Sequence, residues 1–291
     1  MANLKEIRNR IQSVGSTMQI TSAMKMVSAA KLKRAQDAIT QMRPYAVKLR
    51  EILGNLSSSL DMSENPLSHI REEKNVLYVA ITSNRGLCGG FNNNIIKHVQ
   101  VLASETKANV TVLPIGKKAK DAFKSSGLLD KTDTLPSDLE NIYANLTFEE
   151  VAKIGDLLME VFAAGKFDKV VLVYNQFVNA ANQIVTEEQL LPITKTELKA
   201  DESAAGDYLF EPSKEEIVLD IIPKTIRIQL FKGILDSFAS EHGARMTAMH
   251  KATDNASEMQ RSLKLVYNKA RQAAITNEIL EIVGGAEALN G

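Results

Sequence analysis

One segment in the first third of the chain is rich in glycine and could bind a phosphate group. The segment TSNRGLCGGFN (82–92) lies between a predicted buried strand and a predicted helix, which is the position of a phosphate-binding loop in a doubly wound sheet. Its glycines do not match the G-x-G-x-x-G spacing, and no Lys-Ser or Lys-Thr pair follows as in a P-loop. We therefore predict a tight turn that needs glycine dihedral angles, with Asn84 and Arg85 holding the loop by hydrogen bonds.

The single cysteine and the four histidines are the other residues that could do chemistry. A nucleophilic thiol at Cys88 needs a base within reach, but His69, His98, His242 and His250 lie far from it in sequence, and only His98 could face it across one helix. His242 and His250 are eight residues apart, too far for a metal-binding pair on one helical face. One cysteine excludes an intrachain disulfide and a tetrahedral thiolate metal site. These residues predict no active site, no cofactor and no metal.

Composition narrows the class of protein further. The chain has 291 residues with 44% hydrophobic content, no tryptophan and 5% aromatic residues, which argues against stacking platforms for single-stranded nucleic acid. No stretch approaches 18 consecutive apolar residues, and the start, MANLKEIRNRIQ, is charged rather than apolar. We expect a cytoplasmic protein that can dock on a membrane complex.

The zero net charge hides a strong segregation along the chain. Residues 1–50 carry ten Lys or Arg against two acids, a balance of +8, whereas residues 125–220 carry nineteen acids against seven Lys, a balance of −12. The basic N-terminal helix suits an acidic partner, which could be nucleic acid, anionic lipid or protein carboxylates. The alternative interpretation is a solvated helix face that keeps the chain soluble.

In the middle of the chain, predicted strands alternate with predicted helices, and these elements position the glycine-rich segment and Cys88. Strands are predicted over 75–83, 109–116, 169–178 and 183–193, and helices over 93–104, 117–126 and 147–165, the last beginning with a capping box at Thr147 and Glu150. This order predicts a small Rossmann-like α/β domain over 75–193 with a mostly parallel sheet.

The two ends of the chain carry the longest helical patterns. One helix is predicted over 3–58, about 80 Å long, within an N-terminal segment of residues 1–60. After an acidic linker over 194–212, a capping box at Ser213 and Glu216 begins the C-terminal segment, 213–291. Pro223 should kink or break that helix, and Gly284-Gly285 should end it.

Both terminal helices show apolar or small residues at alternating steps of three and four. The C-terminal set is Met249, Ala252, Ala256, Met259, Leu263, Val266, Ala270 and Ala273. The N-terminal set is Leu4, Ile7, Ile11, Val14 and Met18, followed by a shifted set of Ile20, Met24, Val27, Ala35, Ile39 and Met42. Such heptad seams predict a long antiparallel coiled coil formed by the two ends of one chain. Its alanine content indicates a thin helix pair that is asymmetric by construction.

Eight short stretches, one at the C-terminus and seven elsewhere in the chain, together resemble those of a known family. ITNEILEIVGGAEA (275–288) resembles the signature of ATP synthase γ subunits, the central shaft of the rotary F1 motor. The supporting stretches are KEIRNRI (5–11), ITSAMKMVSAAKLKRAQ (20–36), RPYA (43–46), TSNRGLCGGFN (82–92), DYLFEP (207–212), ARMTAMHKATDN (244–255) and LVYNKARQAAITNE (265–278). They occur in the expected order over the whole chain.

The resemblance implies a set of partner contacts rather than a catalytic site. Contacts with an α or β loop, which we call the catch set, fall on Arg245, Arg271, Gln272, Thr276 and Glu278. The shaft residues are Met24, Lys25, Met249 and Met259, and Met24 and Lys25 would face β carboxylates. Contacts with the ε subunit and the c-ring, which we call the foot, fall on Arg43, Tyr45 and Tyr208. A solvated polar stripe and plain seam packing are the alternatives for the first two sets.

The implied function is that of a non-catalytic rotor subunit. It would transmit torque between an ion-driven membrane ring and the α3β3 ring, whose β subunits carry catalysis, and it would lie at the cytoplasmic face of the inner membrane. The implied partners are the α and β subunits, the ε subunit and the c-ring, with no nucleic acid. Two other classes stay open: a non-rotary coiled-coil scaffold, and a small nucleotide-binding Rossmann-like protein.

Overall fold

The computed structural model describes residues 4–59, 65–130, 132, 134–136, 138–144, 146–193 and 214–290. The acidic linker, Tyr208 of the foot and the capping residue Ser213 lie outside the described residues.

The central elements follow the predicted order closely. The strands are β1 Asn75–Ile81, β2 Asn109–Ile115, β3 Lys169–Phe177 and β4 Gln183–Leu191, and the helices are α2 Phe91–Glu105, α3 Lys117–Ser126 and α4 Phe148–Ala163. They form one sheet in the order β2-β1-β3-β4, in which β1 is parallel to β2 and β3, and β4 is antiparallel to β3. The prediction of a mostly parallel sheet is confirmed. A short 3-10 helix, Glu140–Tyr143, lies in a stretch where nothing was predicted.

Both faces of the central strands β1 and β3 are buried, which explains why these two strands are largely apolar without alternation. On β1, Val76 and Tyr78 belong to a cluster with Val99 of α2 and Phe123 of α3. The intervening residues, of which Leu77 is one, belong to a larger cluster on the opposite face, formed with α4 and the C-terminal helix. The sheet is therefore the middle layer between two sets of helices.

The long helices are α1, Leu4–Ser59, and α5, Lys214–Asn290. The chain divides into two compact units, one formed by residues 1–28 and 246–291 and the other by residues 29–245. In the second unit, α1 contributes the fully buried Leu53 and α5 contributes Ile226 and Leu230 to the larger sheet cluster. None of the helices in the described part of the chain has an apolar stretch of the length that crossing a membrane requires.

The C-terminal helix does not end at either of the two predicted positions, so the predicted break at Pro223 and the predicted end at Gly284-Gly285 are wrong. Pro223 lies inside α5, which continues through it, because the flanking Ile222 and Ile226 are fully buried in the core and packing outweighs the lost backbone hydrogen bond. Gly284-Gly285 does not end the helix either, since α5 runs to Asn290. Neither glycine has a positive φ, so the pair does not form a helix cap. Both glycines are helical, which costs conformational entropy relative to alanine.

The antiparallel pairing of the two ends is confirmed in the unit of residues 1–28 and 246–291. The hydroxyl groups of Thr21 and Thr253 lie 2.8 Å apart. Seven residues further along α5, the Gln260 amide nitrogen lies 2.8 Å from the place where a Cβ on Gly15 would stand. Partner numbers therefore rise on α5 as they fall on α1.

The predicted shift of phase on α1 is wrong. Ile20 is 60% exposed and Val27 58% exposed, whereas Thr21 and Ser28 are only 8% and 2% exposed. The heptad begun at Leu4 therefore continues without a shift, with hydroxyl side chains on the seam. The burial pattern of this single phase includes Leu4, Ile7, Ile11, Val14, Met18, Thr21, Lys25, Ser28, Leu32, Ala35, Ile39 and Met42.

The predicted seam of α5 is correct at five of its eight positions. Met249 and Ala256 are buried and Ala252, Leu263 and Ala270 are half-buried, as predicted. Met259, Val266 and Ala273, however, are exposed. The residues that follow these three, namely Gln260, Tyr267 and Ala274, are half-buried instead, and Thr253 is half-buried beside Ala252. Both choices fit a 3.5-residue period, and the partner helix decides between them.

Candidate functional site: the loop after the first strand and the exposed helix surfaces

The loop that follows β1 is held by side-chain hydrogen bonds to neighbouring elements. The Asn84 amide oxygen accepts a hydrogen bond from the Lys117 backbone N–H at 3.0 Å, and its amide nitrogen donates to the Glu140 carbonyl at 2.7 Å. The Thr82 hydroxyl accepts from the Ala119 N–H at 2.9 Å. These bonds fasten the loop to the N-terminus of α3 and to the 3-10 helix. The predicted role of Asn84 is confirmed, whereas Arg85 contributes through its backbone carbonyl.

Cys88 lies inside this loop without a base beside it in the described structure. Its side chain is 1% exposed, and the Asn92 amide nitrogen donates to its Sγ at 3.2 Å. Burial raises the pKa of the thiol above its ordinary value. His98, the histidine that could have faced it, is instead 2.5 Å from the Glu187 carboxylate on β4. The protonated thiol and its buried position give it the character of a packing residue.

A buried polar cluster on α5 faces the same loop. The Arg245 Nη1 lies 2.6 Å from the Glu241 Oε1, and Nη2 donates to the carbonyls of Arg85 and Gly86 at 3.4 and 3.3 Å. Burial raises the pKa of Glu241. The pKa of His242 is lowered to about 3 by burial and by the nearby guanidinium of Arg245. Sequence reasoning missed Glu241, although its spacing of four residues from Arg245 is a recognisable helical ion-pair signal.

A second buried carboxylate lies on α5 five residues before Glu241. Asp236 is 8% exposed, and burial raises its pKa to about 6. The charge of Glu188 adds to this effect, while Lys232 and Arg43 oppose it. Glu188 is itself bonded to the Gln229 amide at 3.0 Å. No sequence signal marked Asp236, because its burial depends on the packing of α1 and β4 around α5.

The predicted contact residues differ in how available they are. In the catch set, Arg271, Gln272, Thr276 and Glu278 are exposed on α5, and only Arg245 is buried. Among the shaft residues, Met24 and Lys25 are half-buried, Met249 is buried and Met259 is exposed. Of the foot, Arg43 and Tyr45 are exposed on α1.

The end of α5 exposes an apolar surface that sequence reasoning missed. Beyond Ala274 every residue with a described side chain is exposed. The large apolar side chains among them are Ile275, Ile279, Leu280, Ile282 and Val283. These side chains lie on one side of the helix, and Asn277, Glu278 and Glu281 lie on the other. An exposed apolar stripe of this kind is typical of a surface that a partner covers.

Comparison with known proteins decides the family. An ATP synthase family model matches residues 3–289. The ATP synthase gamma chain of Flavobacterium johnsoniae is 64% identical over 100% of both chains. This chain belongs to the ATP synthase gamma chain family. The rotor of the Euglena gracilis mitochondrial ATP synthase shares its fold, with a TM-score of 0.64, 23% identity and coverage of 94% of this chain and 98% of that one.

A second solved structure with this fold is that of the central stalk and c-ring of the Tetrahymena thermophila mitochondrial ATP synthase. It has a TM-score of 0.59 and 28% identity, and covers 80% of this chain and 99% of that one. This gamma chain is accordingly a central-stalk subunit of an F-type ATP synthase. Neither the scaffold nor the nucleotide-binding interpretation is favoured.

Proposed function

We propose that this gamma chain is a rotor that transmits torque between an ion-driven c-ring and an α3β3 ring, at the cytoplasmic face of the inner membrane. Catalysis lies on the β subunits, and the gamma chain contacts α, β, ε and the c-ring. Its structural neighbours are the rotor of the Euglena gracilis enzyme and the central stalk with c-ring of the Tetrahymena thermophila enzyme. The proposal extends that assembly to this chain.

The observation that carries the proposal is the helix pair formed by two unlike segments of one chain. Residues of α1 and α5 face each other across the Thr21–Thr253 contact, so opposite sides of the pair present different side chains. Three chemically identical β subunits can differ in nucleotide affinity only if a partner makes different contacts with each. An asymmetric pair supplies that difference, and turning it by a third of a revolution exchanges the three environments.

The exposed surfaces support specific contacts. We assign the catch to Arg271, Gln272, Thr276 and Glu278, because their exposed polar groups can form charge-assisted hydrogen bonds that break and re-form between dwells. Arg245 stays a predicted catch residue, although its guanidinium is already bonded within the chain. The apolar end of α5 fits a sleeve at the centre of the ring.

Two further sets complete the assignment. Lys25 and the other cations of residues 1–50 suit acidic β segments, with Met24 beside them. Met249 and Met259 stay assigned to the shaft. Arg43 and Tyr45, exposed on α1, fit the foot against ε and the c-ring, and Tyr208 is assigned to the same contact from its sequence motif.

Single-molecule rotation tests the proposal directly. Lys107 is exposed and Cys88 is buried, so a K107C variant can be labelled selectively and carry a bead in a complex with α and β. We expect ATP to drive unidirectional rotation in three equal dwells per revolution. A bead that only diffuses, or a chain that does not co-purify with the ring subunits, would contradict the rotor function.

A further inference from the structure

The loop between β1 and α2 is strained and yet fixed. Leu87 has a φ of 64°, although it is not glycine, and Gly89 has a φ of 61°. Leu87 is also 65% exposed, so its own side chain gains little from packing. A left-handed conformation costs an ordinary residue about 1 kcal/mol or more, and such strain persists only where the surroundings hold it.

Besides the bonds of Thr82 and Asn84 to α3 and the 3-10 helix, two groups of bonds hold the loop, one within it and one from α5. Inside, the Ser83 hydroxyl donates to the Arg85 carbonyl at 2.6 Å, and the Ser83 N–H donates to the Asn92 side chain at 2.9 Å. From α5, Arg245 donates to the carbonyls of Arg85 and Gly86. The inner bonds set the shape of the loop, and only the contacts from Arg245 tie its Arg85 and Gly86 carbonyls to the helix in the described structure.

Glu241 determines where the Arg245 guanidinium points. The two residues are one helical turn apart, their side chains are 10% and 8% exposed, and their contact is 2.6 Å. A buried guanidinium needs both a counter-charge and acceptors for its remaining N–H groups. Glu241 supplies the charge, and the loop carbonyls supply the acceptors.

We propose that Arg245, oriented by Glu241, is a positioning residue that clamps the loop 85–89 onto α5. Arg245 is the last residue of α5 in the compact unit of residues 29–245. The clamp therefore joins the end of β1 to the last turn of α5 in that unit, and helix and sheet turn as one body there. This mechanical consequence rests on the proposed rotor function, whereas the clamp itself does not.

The only cysteine of the chain reports on the clamp. Cys88 is buried within the clamped loop, and its Sγ lies 3.8 Å from the Arg85 carbonyl, so opening of the loop exposes the thiol. We would measure the rate at which Ellman's reagent labels the isolated full-length chain, in R245A, R245K and E241Q. The matched control is R261A, which alters an exposed arginine of the same helix.

We expect R245A to label at least tenfold faster than the parent, with E241Q and R245K between them and R261A within twofold of the parent. The R245A rate should be insensitive to low urea concentrations, because local opening exposes little surface. An R245A rate within twofold of the parent would overturn the clamp. A rate that rises with urea as steeply as global unfolding would also overturn it, since Arg245 would then act on stability alone.

The assembled synthase tests the mechanical consequence separately. In membrane vesicles we expect R245A to lower the number of ions pumped per ATP hydrolysed by at least twofold, while R261A leaves that ratio unchanged. Faster labelling with an unchanged ratio would overturn the mechanical role of the clamp and leave the rotor function intact. Failure of the rotor function would not alter the labelling result, because that measurement uses the chain alone.

Discussion

At the scale of single residues, two buried titratable groups on α5 act on stability in opposite directions as the pH falls. Asp236 has its pKa raised to about 6 by burial, and His242 has its pKa lowered to about 3, also by burial. Below pH 6 the folded chain binds a proton at Asp236 more readily than the unfolded chain does. At His242 the unfolded chain binds it more readily. The two effects oppose each other in the same acidic window.

Asp236 therefore costs stability at neutral pH. Its folded-state pKa lies above the unfolded value near 3.9, so the cost is fully present above pH 6 and disappears as the pH falls below about 4. We expect D236N to raise the free energy of unfolding at pH 7.5 by up to about 3 kcal/mol, and by much less at pH 4. Urea unfolding at both pH values measures this. Equal effects at the two pH values would contradict the assignment.

His242 gives the converse dependence. Its folded-state pKa lies below the unfolded value near 6.5, so the stability associated with the neutral ring is present above pH 6.5 and is lost as the pH falls towards 3. We expect H242Q to lose less stability than the parent between pH 7 and pH 4.5, whatever its stability at pH 7. The measurement is the urea midpoint as a function of pH, and parallel curves for H242Q and the parent would refute it.

At the scale of elements, one glycine permits the approach of the β2–α3 turn to β1. Gly116 has a φ of 101°, and a Cβ there would lie 2.1 Å from the Thr82 carbonyl oxygen. Gly127, at the end of α3, also has a positive φ of 71°, but a Cβ there would have nothing within 4 Å. The two positions therefore separate backbone strain from steric overlap.

We expect G116A to destabilise the chain by about 3 kcal/mol or more, because strain and overlap add. G127A is the matched control and should cost about 1 kcal/mol, from strain alone. Urea unfolding followed by circular dichroism measures both. Similar losses for the two variants would show that the close contact with Thr82 is unimportant.

The polar layer of the helix pair is a second element-scale feature. Thr21 and Thr253 have two hydroxyl protons between them, and three contacts compete for these protons. One is the bond between the two hydroxyl groups, and the others are the bonds to the carbonyls of Met18 and Met249. Removing one hydroxyl leaves the other without its cross-helix partner, whereas removing both leaves an apolar layer of the same volume.

We expect T21V and T253V each to cost about 1 kcal/mol of local stability, and the double variant to cost less than their sum. Hydrogen exchange in residues 4–28 measures the effect within the unit concerned. T17V is the control, because in the described part of the chain the Thr17 hydroxyl bonds to the Ser13 carbonyl on its own helix and to no residue of α5. Strict additivity would mean that the contact contributes nothing.

At the scale of the whole molecule, the exposed polar face of α5 has a role only within the complex. We expect the R271A/Q272A double variant to unfold like the parent but to lower ATP hydrolysis by the assembled complex on the order of tenfold, through loss of charge-assisted contacts. K264A, which alters an exposed residue of the same helix, should leave the rate unchanged. Unaltered hydrolysis in the double variant would remove Arg271 and Gln272 from the catch.

The order of strands and helices follows from the sequence because each depends on local patterns. The N-cap half of the predicted capping box is an example, since the Thr147 hydroxyl accepts from the Glu150 N–H at 3.4 Å, as its spacing predicts. The antiparallel helix pair also follows from its heptads. The family follows from motifs such as 275–288, which occur along the whole chain.

Tertiary structure alone decided the remaining points. Hydropathy places Ile20 on the seam and Thr21 outside it, but the partner helix buries Thr21 because its hydroxyl finds Thr253 there. Pro223 stays helical because the core buries its neighbours. Arg245 is a charged residue of a type that is usually exposed, and yet it lies buried, because the loop after β1 brings two carbonyls to it. In each case a group distant in sequence supplies or replaces a bond, and a local pattern carries no information about that group.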